Sequence, residues 1–199
     1  MITPRPYISW SQLSLFETSP ESYKRAYMHG KRMYINPGMA LGKKVATALE
    51  TGDDTGDPIT DLVIAQLPKL DVMEKEIRAT IEVGGYKIPL LGKMDTAKND
   101  LSEFKEYKTG TTPWDQKMAD KHGQITFYCV IIQALTNRIP KRIELVHAVT
   151  KMTPQGQPQL TGEINRFLTT RGTKDILWAK IRMKKAWIGI NKLFEDELI

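Results

Sequence analysis

The stretch that decides the fold is residues 74–110, which read EKEIRATIEVGGYKIPLLGKMDTAKNDLSEFKEYKTG. Apolar side chains recur at every second position from Ile77 to Val83, the pattern of a strand with one buried face. Gly84-Gly85 and Asn99-Asp100 are turn sequences that separate this strand from two more. The stretch therefore predicts an antiparallel meander of three strands.

Helical and strand patterns flank the meander on both sides. Residues 9–50 predict N-terminal helices, the first of which begins at a Ser9 N-cap. A long helix is predicted over 116–136, two further strands over 142–150 and 159–169, and a last helix over 173–198 with Ile181, Ile188 and Phe194 facing the core. We expect a mixed α/β fold with a central, mostly antiparallel or mixed sheet flanked by helices. At 199 residues, the chain is expected to form one domain, with residues 74–170 as its core.

Composition excludes several classes of protein. The single Cys129 rules out an intrachain disulfide, and iron-sulfur clusters and multi-cysteine zinc sites need several thiolates. No apolar run approaches the roughly 18 residues of a membrane span, and the first residues do not resemble an export signal. A cytoplasmic protein without a membrane partner is therefore expected.

The net charge of +6 favours a polyanionic partner. Residues 171–192 carry seven basic side chains and one acidic side chain. Basic residues and one tryptophan recur there at helical spacing, and this stripe suits a sugar-phosphate backbone with a base stacked on the indole. Its members are Arg171, Lys174, Trp178, Arg182, Lys185 and Lys192. The alternative is a solvated basic helix face with Trp178 half-buried.

Three charged residues on adjoining strands are candidates for chemistry: Asp95, Glu106 and Lys108. Glu106 and Lys108 share one strand face, and Asp95 and Glu106 are symmetric about the turn at 98–100, so hairpin pairing brings them together. Two carboxylates with a lysine suit a hard cation such as Mg²⁺ and a bound phosphate. The alternative is a solvated face or a cross-strand salt bridge. Glu103-Phe104-Lys105 repeats the spacing in the opposite register, and periodicity does not choose between the two.

Four segments in order resemble the motif series of the PD-(D/E)XK nuclease superfamily, in its RecB-like exonuclease branch. They are residues 8–30 (ISWSQLSLFETSPESYKRAYMHG) with the helix at 40–50, Gly92-Lys93-Met94-Asp95, Glu106-Tyr107-Lys108-Thr109-Gly110, and Gln124-Ile125-Thr126-Phe127-Tyr128. The resemblance covers about residues 8–136 and implies a restriction-endonuclease-like core.

The same resemblance implies roles for individual residues. Asp95 and Glu106 would bind Mg²⁺ or Mn²⁺ together with the backbone carbonyl of Tyr107, and Lys108 would position the attacking water. Gln124 and Tyr128 would face DNA near the scissile phosphate. Lys117 and Lys121 would extend that row along the same predicted helix.

The chain departs from the branch at two positions. Ala46 occupies the place of the motif histidine, which removes one expected metal ligand. Glu50, Glu74 or Glu76 could replace it, and Glu76 ranks first because the strand it occupies often carries a glutamate in family members. Ser19 stands where iron-sulfur variants have a cysteine, so no iron-sulfur cluster is expected.

The function expected from these features is a metal-dependent DNA nuclease, an exonuclease in first place, acting in repair, recombination or replication. One alternative is a DNA-binding accessory protein without catalysis on a nuclease fold, and another is an endonuclease. The sequence contains no G-x-x-x-x-G-K-[ST] motif. Any helicase or recombination protein that directs the enzyme is therefore expected to be a separate chain.

Overall fold

The computed structural model describes residues 5–31 and 36–196, and its centre is a six-stranded mixed sheet. The strands are β1 (Ile8–Ser9), β2 (Val72–Val83), β3 (Tyr86–Ala97), β4 (Glu103–Gly110), β5 (Arg142–Met152) and β6 (Pro158–Thr169). The helices are α1 (Trp10–Thr18), α2 (Pro20–Tyr23), α3 (Pro37–Thr51), α4 (Pro58–Gln66), α5 (Gln116–Asp120), α6 (Gly123–Thr136) and α7 (Thr173–Asp196), with a π-helical turn at Lys24–Met28. The predicted α/β class and mixed sheet are confirmed. Among the helices described, none has both the length and the apolar character that a membrane crossing requires.

Strands β2, β3 and β4 form the predicted meander. Ile77 and Ile81 point their side chains into the core from β2. Gly84 and Gly85 both have positive φ angles, 54° and 81°, and they close the β2–β3 hairpin. Because an L-side chain is strained at such angles, the paired glycines fix both the turn and the register of the hairpin.

Two strands, β4 and β1, pair with different parts of the same edge of β3. It pairs with β4 at Thr96↔Lys105 and Ala97↔Phe104, after which the two strands separate. Farther along the same edge, β1 runs parallel to β3 at Ile8↔Leu90 and Ser9↔Leu91, while β2 follows the opposite edge along its length. The opening between β1 and β4 lies beside Asp95, and it exists because β3 leaves β4 after two pairs.

Each face of the sheet is covered by its own set of helices. Strand β5 is parallel to β4 and antiparallel to β6. On one face, residues of α1, α6 and α7 pack in a large core with Ile143 and Leu145 of β5. On the other face, α3 and α4 pack in a smaller core with Val146 and Ala148. The alternation along β5 thus assigns α6 and α3 to opposite sides of the sheet.

The predicted helix over 116–136 is two helices, α5 and α6, and the prediction of one continuous helix is wrong. His122 has extended backbone angles (φ −65°, ψ 112°) at the junction. The next residue, Gly123, lies under the ring of Trp10, and a Cβ atom there would come 2.3 Å from Trp10 Cη2. The close approach of α1 therefore accounts for a glycine at the start of α6.

Helix α7 confirms the predicted C-terminal helix within the described residues but presents a different face to the core. Phe194 is buried as predicted, whereas Ile188 is 39% exposed. The buried residues are Ile176, Ala179, Met183, Ala186, Ile190 and Phe194. Two of these residues are alanines. A prediction that looks for large apolar side chains does not select alanines and chooses the isoleucines instead.

Candidate active site

The two predicted carboxylates meet where β3 and β4 separate. The register of Thr96↔Lys105 brings Asp95 opposite Glu106. Asp95 Oδ2 accepts a hydrogen bond of 2.5 Å from the backbone N–H of Tyr107. The Asp95 side chain thus replaces a backbone partner at the first position where the ladder is broken, and this fixes its carboxylate beside Glu106.

Strand β4 directs Glu106 and Lys108 toward helix α6. Phe104, two residues earlier on the same face, is fully buried and packs edge-on against Tyr128 of α6. Lys105 lies on the opposite face, where it is buried and its Nζ contacts Glu103 at 3.1 Å and Glu144 at 2.5 Å. The competing Glu103-Phe104-Lys105 spacing therefore belongs to an ion network between strands, and Glu106-Tyr107-Lys108 faces the site.

A chain of hydrogen bonds links β4, α6 and β3. Lys108 Nζ donates to Glu106 Oε1 at 2.6 Å and to Gln124 Oε1 at 2.8 Å. Gln124 Nε2 donates to the Tyr128 hydroxyl at 2.7 Å, and that hydroxyl donates to the backbone carbonyl of Lys93 at 2.5 Å. The three predicted residues Lys108, Gln124 and Tyr128 are thus joined in one network, and each fixes the orientation of the next.

A cleft of about 640 Å³ opens over the carboxylates. Helix α3 forms its other wall, with Gly42, Ala46 and Leu49 on the lining together with Asp95 and Glu106. A Cβ atom at Gly42 would lie 3.2 Å from Thr109 Oγ1, so glycine permits the close approach of α3 to β4. Ala46, at the position that the resemblance assigns to the motif histidine, lines the same cleft with a methyl group.

Burial is the largest influence on the protonation of the two carboxyls, and it outweighs the opposing charge of Lys108. Burial, and then the charge of Glu106, raise the pKa of Asp95 well above the usual carboxyl value. Burial also raises the pKa of Glu106, although Lys108 acts in the opposite direction. Glu106 is 2% exposed, and its Oε2 has no hydrogen-bond partner among the described residues. A bound cation would relieve both the desolvation and the repulsion.

Solved structures with the same architecture include two proteins named for exonuclease activity. A candidate exonuclease from Eubacterium rectale superposes with a TM-score of 0.58 at 14% identity, over 96% of this chain and 82% of that one. A phage-related exonuclease from Haemophilus somnus 129PT gives a TM-score of 0.56 at 11% identity, over 94% and 83% of the two chains. No family model and no curated protein matches the sequence. The chain shares the fold of these two structures, a restriction-endonuclease-like mixed α/β core. Because the sequence identities are this low, the superpositions support only the fold of the chain. Its activity must be argued from its own residues.

The donor set of this site suits a hard divalent cation. Mg²⁺ and Mn²⁺ prefer oxygen ligands, and Mg²⁺ is typically held by one or two carboxylates with water completing its shell. Asp95, Glu106 and the backbone carbonyl of Tyr107 offer such oxygens, and the unpartnered Glu106 Oε2 is buried at the cleft. Within residues 5–31 and 36–196, no three His, Cys, Asp or Glu side chains converge as a ready metal cluster. Two carboxylates therefore form the centre of the site.

The two glutamates of β2 lie in different surroundings, and the one that the sequence ranked first as a replacement ligand is the more exposed of the two. Glu76, ranked first by the sequence, lies on the surface with its carboxylate half-exposed and paired to Arg78 at 2.8 Å. Glu74 is mostly buried, and its charge contributes to the raised pKa values of Asp95 and Glu106. Glu74 thus lies within electrostatic reach of the carboxylate pair, whereas Glu76 pairs with a surface arginine.

The lysines predicted to extend the Gln124 row belong to a different helix. Lys117 is in α5 and Lys121 follows it, whereas Gln124 lies in the first turn of α6, beyond the extended residue His122. Both lysines are exposed. The predicted continuous helical row is therefore wrong, and any contact of these lysines with DNA would come from a separate element.

The basic stripe near α7 is shorter than predicted, and its first member is part of the core. Arg171 precedes α7 and is 6% exposed. Its guanidinium donates to the hydroxyls of Thr126 and Thr169 and to the carbonyls of Ala119, His122 and Thr170. Arg182 forms a double hydrogen bond with Glu17 of α1. Lys174, Trp178 and Lys185 are exposed.

Sequence reasoning did not anticipate a second cleft on the other side of Gln124 and Tyr128. This cleft measures about 280 Å³ and is lined by Ser9, Trp10 and Lys93 among others. The sequence predicts Ser9 as a helix N-cap within a segment of the resemblance, and it assigns the segment no part in binding. No periodic sequence pattern predicts this cleft. Its two sides, the start of α1 and Lys93, are far apart in the sequence and meet only because β1 pairs in parallel with β3.

Proposed function

We propose that this protein hydrolyses phosphodiester bonds in DNA with Mg²⁺ or Mn²⁺, acting as an exonuclease. The observation that carries the proposal is the pair formed by the buried Glu106 and the partly buried Asp95, with Lys108 bonded to Glu106, on the lining of an open cleft. Carboxylates this buried are costly unless they are compensated, and a divalent cation with a phosphate supplies the compensation. The fold of the two solved exonuclease structures supports the same activity.

Lys108 has the geometry of a positioning group for water or phosphate. An ammonium has three N–H donors, and Glu106 and Gln124 accept two of them. The third is left for a water or a phosphate oxygen in the cleft. A divalent ion held by Asp95, Glu106 and the Tyr107 carbonyl would polarise the phosphate and lower the pKa of water. Gln124, held by Tyr128, keeps the Lys108 ammonium in place during the reaction.

The test is digestion of end-labelled single-stranded and double-stranded DNA in the presence of Mn²⁺ or Mg²⁺. Asp95→Asn removes a ligand charge without changing side-chain size, and we expect it to reduce the rate by about 100-fold or more. Asp100→Asn, in the exposed turn before β4, is the matched control and should leave the rate unchanged. Equal digestion by Asp95→Asn and wild type would show that the site is wrongly assigned. Mononucleotide products indicate an exonuclease, and discrete fragments indicate an endonuclease.

Ala46 favours one second candidate, a DNA-binding accessory protein that does not cleave. Its methyl group lines the cleft at the place of a metal-binding imidazole. Calorimetric titration with Mn²⁺ separates the two functions. The nuclease is expected to bind the ion, whereas an accessory protein should bind DNA equally well in EDTA and show no heat of Mn²⁺ binding.

A further inference from the structure

A second groove follows the outer face of helix α3, next to the cleft that contains Asp95 and Glu106. This groove measures about 510 Å³. Its lining from α3 includes Ala40, Lys43, Lys44, Thr47 and Thr51. Positions 40, 44, 47 and 51 recur at the spacing of one stripe along a helix. The outer face of α3 therefore presents a continuous groove whose side chains are mostly polar.

Lys43 lies between this groove and the carboxylate cleft. It is on the lining of both. Gly42, the residue before it, lies close to Thr109 of β4 and brings α3 to the edge of the carboxylate cleft. A strand of DNA that leaves the carboxylate cleft over α3 therefore meets Lys43 first and the groove of α3 next.

The polar side chains at this end of the groove are available to bind an anion. Lys43 and Lys44 are exposed, and neither forms an ion pair or a hydrogen bond through its side chain with the residues that the structure describes. Thr47 is also exposed, and its hydroxyl has no partner in the same part of the chain. Two ammonium groups and a hydroxyl are donors that suit the oxygens of phosphate groups.

The size of the carboxylate cleft limits the form of DNA that can enter it. Its volume of about 640 Å³ lies in the range of small-molecule pockets, about 300 to 1,000 Å³. A duplex, whose major groove alone is about 12 Å wide, is too large for such a cleft. The DNA is therefore a single strand where it enters the cleft, and the groove of α3 is the adjoining surface.

We propose that the outer face of α3 binds the backbone of a single DNA strand beside the carboxylate cleft, with Lys43 and Lys44 on its phosphates and Thr47 as an uncharged donor. The inference rests on the proposed function and deepens it, because it concerns the strand that is cut. Asp53 and Asp54 line the far end of the groove, where they would repel phosphates. The contacts are therefore confined to the end of the groove next to the cleft.

The experiment measures the affinity of the full chain for fluorescein-labelled oligothymidylate in EDTA, by fluorescence anisotropy at several salt concentrations. Each lysine–phosphate contact contributes about 0.7 to the slope of log affinity against log salt for a single strand. Lys43→Gln/Lys44→Gln should therefore weaken binding and reduce the slope by about 1.4. Lys87→Gln/Lys141→Gln is the matched control, because it removes the same charge at exposed positions that line neither the groove nor the carboxylate cleft. It should leave the slope close to that of the wild type.

Crosslinking tests whether the bound DNA is single-stranded. The one cysteine of the chain, Cys129, is buried, so Lys43→Cys introduces a single exposed thiol. The probe is an oligonucleotide with a bromoacetamide group tethered to one internal phosphorothioate, used in EDTA. Lys43→Cys should crosslink to the single strand at least several times faster than to the same oligonucleotide in a blunt duplex. Lys87→Cys, the control, should crosslink slowly to both.

The outcomes separate this inference from the proposed function. If Lys43→Gln/Lys44→Gln reduces the slope no more than the control pair does, α3 does not bind the strand and the inference is overturned, whereas digestion by wild type and Asp95→Asn still decides the nuclease proposal. If the slope falls by the expected amount while the wild type digests no DNA, α3 binds the strand and the nuclease function fails. Equal crosslinking of Lys43→Cys to single strand and duplex would also overturn the inference.

Discussion

Lys108 is held by hydrogen bonds from two sides, so we expect its function to depend on its exact position as well as on its charge. Glu106 and Gln124 both accept hydrogen bonds from its Nζ, at 2.6 and 2.8 Å. Gln124→Leu removes one acceptor and frees the ammonium to move. We expect kcat to fall by about tenfold with little change in KM, because the loss is one of orientation and not of substrate binding.

Lys108→Met removes the ammonium itself and should reduce kcat by about 100-fold or more. Lys87→Met, at an exposed position of β3, is the control for loss of a surface charge. Steady-state digestion of labelled DNA gives both constants. A Gln124→Leu enzyme with a raised KM and an unchanged kcat would mean that Gln124 binds DNA directly and does not position Lys108.

Arg171 illustrates a basic residue whose role is structural. Its buried guanidinium donates to two threonine hydroxyls and three backbone carbonyls. Arg171→Met leaves these acceptors without a partner, and we expect a loss of about 3 kcal/mol or more in the free energy of unfolding. Urea denaturation checks this, with Lys174→Met at an exposed site as the control. Unchanged stability in Arg171→Met together with weakened DNA binding would restore its predicted role at the DNA surface.

Residues of the candidate site differ in how far the sequence could specify them. Asp95 and Glu106 are symmetric about a turn, and hairpin pairing alone brings them together. Glu74 and Glu76, however, are two positions apart in one strand, so alternation assigns them the same face. The positive φ at Glu74 separates them, and no periodic pattern encodes a single irregular backbone angle.

At the scale of elements, the junction of α5 and α6 shows why the predicted helix was too long. The sequence from Gln116 to Thr136 contains no proline, and its apolar pattern runs on through the junction. Trp10, more than a hundred residues earlier, packs at the break, and a Cβ atom at residue 123 would come 2.3 Å from its Cη2. Meander strands were predicted because their pairing is local, whereas this break comes from packing between distant elements.

His122 at the same junction predicts a dependence of stability on pH. Its ring lies between those of Trp10 and Trp114, and burial, followed by the charges of Lys108 and Arg171, lowers its pKa to about 4. The ordinary value is about 6.5, so the unfolded chain takes up the proton first. The stability that neutral His122 provides is present above pH 6.5 and is lost as the pH falls toward 4.

The measurement is the free energy of unfolding in urea at several pH values between 7 and 4. Wild type should lose up to about 3 kcal/mol more than His122→Gln over this range. His29→Gln, at an exposed position after the π-helical turn, should follow the wild type. Parallel curves for wild type and His122→Gln would show that His122 is protonated alike in both states.

At the scale of the whole molecule, the positively charged helix α7 packs on the same side of the sheet as the helix that carries Gln124 and Tyr128. Helix α7 packs with α6, which carries Gln124 and Tyr128, in the larger core. Lys174 and Lys185 are eleven residues apart on α7, so they lie on one stripe about 16 Å long with Trp178 between them, 66% exposed. A stripe of this length matches several phosphates of a DNA backbone. We therefore propose that it binds DNA electrostatically outside the cleft.

This surface predicts a specific change in the salt dependence of DNA binding. Each phosphate contact made by a lysine contributes roughly 0.7 to 0.9 to the slope of log affinity against log salt. Lys174→Gln/Lys185→Gln should weaken binding in EDTA and reduce the slope by about 1.4 to 1.8. Lys69→Gln/Lys151→Gln is the control, because it removes the same net charge at exposed positions, on the α4–β2 connection and at the β5 end near the β5–β6 turn.

If both double variants reduce the slope equally, affinity follows net charge and the stripe has no special role. If only the α7 pair does so, while the Mn²⁺ affinity of that variant stays unchanged, DNA is held by α7 independently of the cation site.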